Sequence, residues 1–420
     1  MNLIIRQAKI IDAGGPYHNR VVDLQLKNGI ITHIAAQIDA EKGATVIQHD
    51  NLHLSQGWFD SSVSFGEPGF EERETIANGL TVAAKSGFTA VALQPNSYPV
   101  IDNQSQVNFV HSRAQGHPVR LFPIGALTKN SEGNDMAELF DMKRAGAVAF
   151  GDYAKSMSNA NLLSIALQYT QDFDGLVIAF SQDADLKGQG VANEGAVATG
   201  LGLKGIPALA EELQVARNLA LLEYSGGRLH IPTISTAQSV TMIRNAKAKG
   251  LAVSCSVAVH QLVLTDQKLE GFDTRFKVSP PLRTDADRKA LIKGLKDGTI
   301  DMITSDHNPI DIEHKKMEFD TAKNGTIGLE SAFGALMTVL PLDLVIQKLT
   351  AAKAVFRNGP AREPEFISEN TAADLTLFNP DGKWIFTKDA IRSKSKNTAF
   401  LNTAMRGTVY GIISQGQSII

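Results

Sequence analysis

The alternation of short apolar runs with longer amphipathic segments is the feature that most limits how this chain can fold. From about Leu54 onward the apolar runs cover residues 90–93, 119–124, 147–150, 176–180, 228–231, 252–257 and 302–303. Helical patterns separate them at residues 72–86, 136–145, 208–224, 239–249 and 285–296. Strands that alternate with helices form parallel βα units, and this many units predict a closed (β/α)8 barrel of the TIM type.

The sequence pattern at both ends of the chain is different and is typical of β-strands. Runs at residues 3–11, 22–26 and 30–34 precede the barrel pattern, with Asn28-Gly29 placed as a hairpin turn between the last two. Further β-rich runs follow at 374–378 and 409–413. We therefore predict an α/β protein with a small discontinuous β-sandwich domain, in which residues 1–53 and 364–420 flank a barrel at 54–363.

Composition and charge exclude several classes of partner. The chain has 420 residues, 43% of them hydrophobic, and a formal net charge of -3 with the two signs mixed. This pattern predicts no nucleic-acid partner, and no apolar run approaches the ~18 residues that a membrane span needs. Cys255 is the lone cysteine, and the sequence starts without a secretory leader pattern. We expect a cytoplasmic protein whose partners are small molecules or other proteins.

Several separated sequence blocks carry a resemblance to one enzyme family. The blocks read Q-P-N-S-Y-P-V-I-D-N at 94–103, P-P-L-R at 280–283, T-S-D-H-N-P at 304–309 and S-K-S-K-N-T at 393–398. Together they resemble the dihydroorotase branch of the amidohydrolase superfamily across nearly the whole chain. The resemblance implies a barrel that holds two zinc ions, which activate a hydroxide to open the ring amide of dihydroorotate.

The positions that match the family's metal ligands have changed. The resemblance places the family's histidines at Ser62, Ser64, Phe180 and Thr233, and its two carboxylate ligands at Asp152 and Asp306. Asp306 matches the proton-relaying aspartate. Neutral imidazole binds zinc well, whereas a serine hydroxyl must first lose a proton of very high pKa. We therefore expect no cofactor, or at most one weakly bound divalent metal on the carboxylates.

The positions that match substrate-binding residues are altered too. Gly66 stands where the family has the arginine that pairs with the substrate carboxylate, and Ser279 stands where it has an asparagine. Asn96 matches, and His260 and His307 match family histidines near the site. A glycine cannot replace a bidentate guanidinium.

Each remaining polar residue also has a structural interpretation. The simplest interpretation of the serines is that they are small polar residues that fill a vacated metal pocket. Asp306 and His307 could form a hydrogen-bonded pair that caps a loop. His230 is expected to have a structural role, and His260 is expected to be a satisfied interior histidine. A buried Asp152 needs compensation, for which Lys155 is the nearest cation in sequence.

Three functional hypotheses follow from these patterns. The favoured one is a dihydroorotase-like protein of pyrimidine synthesis without its own hydrolytic activity, which acts as a structural partner of aspartate carbamoyltransferase, as a homo-oligomer, or both. The second is an active cyclic amidohydrolase that uses a reduced metal site on Asp152 and Asp306. The third is a non-enzymatic signalling or assembly protein like the degenerate relatives of dihydropyrimidinase.

Overall fold

The barrel is closed by eight parallel strands. The structure is a computed structural model that describes residues 2–356 and 366–420. The barrel strands are Trp58–Val63, Phe88–Leu93, Arg120–Gly125, Ala149–Phe150, Val177–Ile178, Leu229–Ile231, Val253–Ala258 and Met302–Thr304. A parallel bridge between Val63 and His307 joins the last strand's end to the first. The predicted barrel fold is confirmed, and the first strand had escaped prediction because Asp60-Ser61-Ser62 interrupts its apolar run.

Helices cover the outside of the barrel. The longer ones are Ile76–Lys85, Gln104–Ala114, Leu139–Ala145, Ala160–Tyr169, Ala208–Ser225, Ala237–Ala248, Asp285–Lys296, Leu329–Leu336 and Leu342–Thr350, and shorter ones are Ala184–Lys187, Ala196–Leu201, Val259–Val263, Ile312–Lys315 and Ala352–Val355. The helix predicted to start at residue 72 begins at Ile76, because the Thr75 side chain accepts from the backbone N–H of Asn78 and caps it. No helix in the described ranges is both long and apolar enough to cross a bilayer.

The two faces of the barrel strands belong to different clusters. Val91 and Leu93 pack with the surrounding helices, whereas Ala90 and Ala92 join a cluster with Phe59 and Met302 inside the barrel. Alternate residues of a strand point to opposite faces, so this period of two separates the inner core from the outer core. The barrel interior is therefore a packed core rather than a channel.

Strands from both chain ends form one outer sheet. They are Asn2–Ile10, Val21–Lys27, Ile30–Ala35, Thr45–Ile47, His53–Gln56, Leu375–Phe386, Thr403–Ser414 and Gln417–Ile419. His53–Gln56 pairs with this sheet, so the sheet extends three residues past the predicted boundary at 53. The second predicted boundary, at 363, lies outside the described residues. Asn28 and Gly29 both have positive φ, as the predicted hairpin turn requires.

A buried polar cluster ties together the loops at one side of the barrel mouth. We call it the Arg283 network: Asn193, Glu211, Ser235, Asp266 and Arg283. The Arg283 guanidinium, 2% exposed as a residue, donates to Ser235 Oγ at 3.0 Å and to Asn193 Oδ1 at 2.9 Å. Its Nη2 lies 3.8 Å from the Glu211 carboxylate, which accepts the backbone N–H of Ser235 at 2.8 Å. Burial in this dense network holds the loops at fixed positions.

Candidate functional site

A small cavity lies at the carboxyl ends of the barrel strands, where catalytic residues of such barrels are found. Its volume is about 20 Å³, which is room for about one water molecule. It is lined by Ser62, Gln94, Gly151, Asp152, Tyr153, Ala154, Ile178, Phe180, Pro232, Thr233, Ser279 and Asp306. The structure therefore brings together most of the residues that sequence matching had placed at a metal centre. Ser64, Gly66, Asn96, His260 and His307 do not line it.

Asp306 follows the last barrel strand and points into this cavity. Its carboxylate Oδ1 accepts from the Ser62 hydroxyl at 3.3 Å and from the Tyr153 hydroxyl at 3.4 Å. Burial, together with the charge of Asp60, raises the pKa of Asp306 to about 7. The group is thus a carboxyl that gains or loses a proton near neutral pH.

Asp60 lies directly behind this carboxyl and joins the first barrel strand to the last. It accepts from the backbone N–H of Ser62 at 3.0 Å and of Ser305 at 2.9 Å, and from the Thr304 hydroxyl. Burial raises its pKa. Asp60 therefore fixes the strand ends that carry Ser62 and Asp306.

Hydrogen bonds compensate Asp152, and no cation in the part of the chain that the structure describes forms an ion pair with it. Its Oδ1 accepts from the backbone N–H groups of Leu127 at 3.0 Å and Thr128 at 3.2 Å, and its Oδ2 accepts from the Thr128 hydroxyl. Burial raises its pKa. The predicted compensation by Lys155 is wrong, because the Lys155 ammonium donates to the Ser131 carbonyl at 2.9 Å. Both Asp152 oxygens are occupied by the 127–128 turn.

Phe180 and Thr233 complete the wall of the cavity. The Phe180 ring is buried, and the backbone N–H of Thr233 donates a hydrogen bond to Ser256 Oγ at 3.1 Å. Thr233, Asp306 and Ala154 all have φ near +50°, a conformation that costs energy for residues other than glycine. Such strain is typical of functional sites, so the cavity retains the backbone geometry of one.

The substrate-matching positions are occupied by local contacts. Ser64 and Asn96 are hydrogen-bonded to each other, with Asn96 Nδ2 donating to Ser64 Oγ at 2.7 Å. At Gly66, a Cβ would lie 1.8 Å from the Phe70 carbonyl oxygen. The segment 66–74 closes on this glycine, since Phe70 N donates to Gly66 O at 2.7 Å. A larger side chain at position 66 requires this segment to move.

The three interior histidines have structural surroundings. His307 Nδ1 accepts from the backbone N–H of Gly328 at 3.2 Å, at the start of the helix Leu329–Leu336, and burial lowers its pKa to about 3. It does not form the predicted pair with Asp306. His230 contacts the hydroxyls of Ser254 and Ser256 at 2.9 and 3.2 Å, in agreement with the structural role predicted for it.

His260 differs from the other two. It is buried as predicted, but neither ring nitrogen has a hydrogen-bond partner in the described residues, so the prediction that it is satisfied is wrong. Burial lowers its pKa to about 4, and the ring is therefore neutral at physiological pH.

Sequence reasoning missed two residues that contact the altered positions. The amide of Gln94 donates to Ser62 Oγ at 3.1 Å, and the Tyr153 hydroxyl reaches Asp306. Gln94 stands where the family block has methionine, and Tyr153 where it has a second aspartate. Both departures were visible in the sequence and could have identified the hydroxyl–amide cluster that fills this site.

The described residues that line the mouth cavity include no histidine that could bind a metal through nitrogen. In residues 2–356 and 366–420, no three His, Cys, Asp or Glu side chains come together in a group that could hold a metal ion. The arrangement offers two buried carboxyls, of which Asp306 is the one with a pKa near neutrality.

Known proteins resemble this chain in sequence and in fold. A family model described as "Dihydro-orotase-like" matches residues 53–239. Dihydroorotases from Pelotomaculum thermopropionicum and Syntrophus aciditrophicus are 40% and 37% identical over 425 and 426 residues, covering 100% of this chain and 99% of each relative. The L-hydantoinase of Arthrobacter aurescens superposes with a TM-score of 0.86 at 20% identity, over 100% of this chain and 96% of that chain.

The two kinds of similarity support different conclusions. A structural likeness at 20% identity, as with the hydantoinase, shows a shared (β/α)8 amidohydrolase fold with an added sheet domain. The identity of 40% over the whole length goes further, because it extends over the barrel and the outer sheet alike. The chain belongs to the dihydroorotase family.

Proposed function

We propose that this chain is a dihydroorotase-family protein of pyrimidine biosynthesis that does not build the family's two-metal hydrolytic centre. In this proposal it acts as a structural partner of aspartate carbamoyltransferase. The observation that carries the proposal is the composition of the mouth cavity. Two serines, a phenylalanine and a threonine stand at the histidine positions. Of these, Ser62 donates to the remaining carboxyl of Asp306 and accepts from the Gln94 amide.

The two carboxylates are poor substitutes for the missing ligands. Both Asp152 oxygens already accept hydrogen bonds, and Asp306 is neutral for part of the time at pH 7 because its pKa is raised to about 7. Zinc sites use deprotonated, nitrogen- or sulfur-rich ligand sets, and loss of even one supporting residue typically weakens binding by ~10–100-fold. The residues present therefore do not fit a binuclear zinc centre.

The scaffold role is supported by what remains intact. The barrel core, the outer sheet and the Arg283 network do not depend on the altered positions. The resemblance to family members that lack zinc ligands and support aspartate carbamoyltransferase supplies the partner. Fold and activity reside in different residues, so one can persist without the other.

A second candidate is an amidohydrolase that works with one metal on Asp152 and Asp306. The observation that favours it is that these two carboxylates line the same cavity. This candidate needs a third ligand, which water would have to provide.

The test uses untagged protein, because a histidine tag would itself bind zinc. After dialysis against a slight excess of zinc, elemental analysis should find well below one metal per chain, and dihydroorotate should not be hydrolysed above the buffer rate. The dihydroorotase of Pelotomaculum thermopropionicum serves as the positive control. Two bound zinc ions with turnover would overturn the proposal.

A matched variant separates the two candidates. If Asp152→Asn with Asp306→Asn abolishes a stoichiometric single metal and its activity, the second candidate is correct. The partner is tested by size-exclusion chromatography with light scattering of the chain mixed with aspartate carbamoyltransferase from the same cells. A stable joint peak is expected, and separate elution at micromolar concentrations contradicts the scaffold role.

A further inference from the structure

A second and larger cavity opens beside the mouth cavity. It has a volume of about 440 Å³ and lies between the loops that follow three barrel strands. It is lined by residues 187–191, Ile206, 277–279 and 320–324, and we call it the lysine cavity. Ser279 borders both cavities. Its size is that of a pocket for a small molecule.

Two buried lysines lie at the lysine cavity: Lys277 lines it, and Lys315 lies behind the residues that line it. Lys277, 5% exposed, donates to the carbonyls of Phe319 at 2.6 Å and Asp320 at 2.9 Å. Lys315, 3% exposed, donates to the carbonyls of Lys277 and Lys323, both at 2.9 Å. Each ammonium is thus held by neutral oxygens of the loop segments that wall the cavity.

These two charges are only partly compensated by the protein. Within the described residues no carboxylate lies in ion-pair contact with either ammonium, and the charges of Asp320 and Asp273 act on Lys277 and Lys315 from farther away. Burial lowers the pKa of Lys277, and burial with the Lys277 charge lowers the pKa of Lys315 to about 7. Buried cations are normally paired directly with an anion, so this wall keeps an excess of positive charge.

Residues at the open side of the lysine cavity add further positive charge. Lys187 and Lys323 line it, and Asp320 is the single carboxylate among its lining residues. The charge of Lys187 is close enough to Lys277 to lower its pKa further. Thr321, Asn324 and Ser279 provide uncharged donors around these cations. Three lysines against one aspartate select for negative charge.

We propose that the lysine cavity binds a small anion that carries two negative charges, either a phosphate or a dicarboxylate. Lys187 and Lys323 contact the anion directly, and the Lys277–Lys315 pair supplies the field behind it. The inference does not depend on whether the mouth cavity hydrolyses anything. It gives this chain a ligand site outside the positions that match the family's metal ligands.

The test is isothermal titration of the intact protein with inorganic phosphate and, separately, with succinate. Ionic strength is held constant with potassium chloride, so that general screening does not change. Saturable binding of one of the two is expected, and the ratio of the two affinities identifies the anion class. Absence of saturation with both would overturn the proposal.

Charge-removing variants locate the binding. Lys187→Gln with Lys323→Gln should weaken binding by about tenfold or more, since two direct charge-assisted contacts are lost. Lys316→Gln removes an exposed lysine of the same loop that does not line the cavity, and it should leave the affinity unchanged. Equal affinity of the double variant and the wild type contradicts the assignment. Circular dichroism of each variant confirms that the fold is retained.

Discussion

The mouth cavity and the Arg283 network are both buried, polar and close to the barrel's carboxyl end, yet they differ in how their charges are satisfied. In the Arg283 network the guanidinium donates to Ser235 and Asn193 at 3.0 and 2.9 Å. The Glu211 carboxylate, 3.8 Å from the guanidinium, accepts the backbone N–H of Ser235 at 2.8 Å. In the mouth cavity the Asp306 carboxyl accepts two long bonds of 3.3 and 3.4 Å, and no cation of residues 2–356 or 366–420 forms an ion pair with it.

This difference separates structure from chemistry within one barrel end. A dense network with opposite charges fixes loops, and losing one member leaves a buried charge unpaired. A carboxyl held by weak hydroxyl contacts instead shifts its pKa toward neutrality. Changes in the Arg283 network are therefore expected to alter mainly the free energy of unfolding. Changes in the mouth cavity are expected to alter mainly how that free energy depends on pH and what the cavity binds.

The largest effect is expected in the Arg283 network. Arg283→Met should lower the free energy of unfolding by about 3–5 kcal/mol, because Glu211 would remain buried without its cation. Urea denaturation followed by circular dichroism measures this. Arg244→Gln, which breaks the surface ion pair with Asp297 at 2.7 Å, is the control and should cost at most about 1 kcal/mol. Equal losses in both variants would remove the distinction between the two regions.

The next effect is a pH dependence that belongs to Asp306. Its pKa is about 7 in the folded chain against an ordinary value of 3.8, so the native state binds an extra proton between these two pH values. Stability should therefore fall as pH rises from about 4 to 7, and Asp306→Asn should remove up to about 4 kcal/mol of that fall.

Denaturation at several pH values checks the Asp306 prediction. Asp389→Asn, at an exposed carboxylate, should leave the slope of stability against pH unchanged. Identical slopes for wild type and Asp306→Asn would mean that Asp306 in the folded chain keeps the ordinary pKa of an aspartate. That result would be expected if a cation were bound beside it, so it would favour the single-metal candidate.

Gly66→Ala tests how tightly the segment 66–74 closes over the former substrate side. The new Cβ would lie 1.8 Å from the Phe70 carbonyl oxygen, so a loss of about 1–3 kcal/mol is expected from the forced shift. Gly200→Ala is the matched control, because no atom lies within 4 Å of its Cβ. Thermal unfolding of the two variants measures this loss of stability. A Gly66→Ala melting temperature equal to the control's would mean that the segment yields freely.

The smallest effect compares two neighbouring serines. Ser62→Ala removes one bond to Asp306 and one from Gln94, and should cost about 1 kcal/mol. Ser61→Ala removes a buried hydroxyl that has no partner in the described residues, and should be neutral or stabilising. Thermal unfolding at pH 7 measures both. A reversed order would show that the hydroxyl–amide cluster does not stabilise the mouth cavity.

Periodic patterns predicted the barrel well because its strands and helices are simple repeats of buried and exposed positions. The helix Asp285–Lys296 begins and ends where the sequence predicted. The strand Trp58–Val63 was missed because its polar residues face a buried network that local pattern does not reveal. The strand Leu375–Phe386 is much longer than the predicted run 374–378, because pairing with Thr403–Ser414 extends it.

The sequence blocks predicted which residues line the mouth cavity, but they did not predict the hydrogen bonds that these residues form. Motif matching placed Ser62, Phe180, Thr233 and Asp306 at one site, and they line one cavity. The compensation of Asp152 by Thr128 instead of Lys155 depends on how a turn folds back, which spacing does not encode. The metal content, the oligomeric state and the carbamoyltransferase partner stay predictions.

The strand His53–Gln56 hydrogen-bonds to Asn2–Ile10 on one side and to Leu375–Phe386 on the other. On the ribosome, the first of these neighbours is available early and the second only near the end of translation. At roughly 5–20 residues per second, an unpaired strand edge is exposed for tens of seconds while the barrel is made. Exposed edges invite pairing with other chains, and this edge is covered only when Leu375–Phe386 joins the outer sheet.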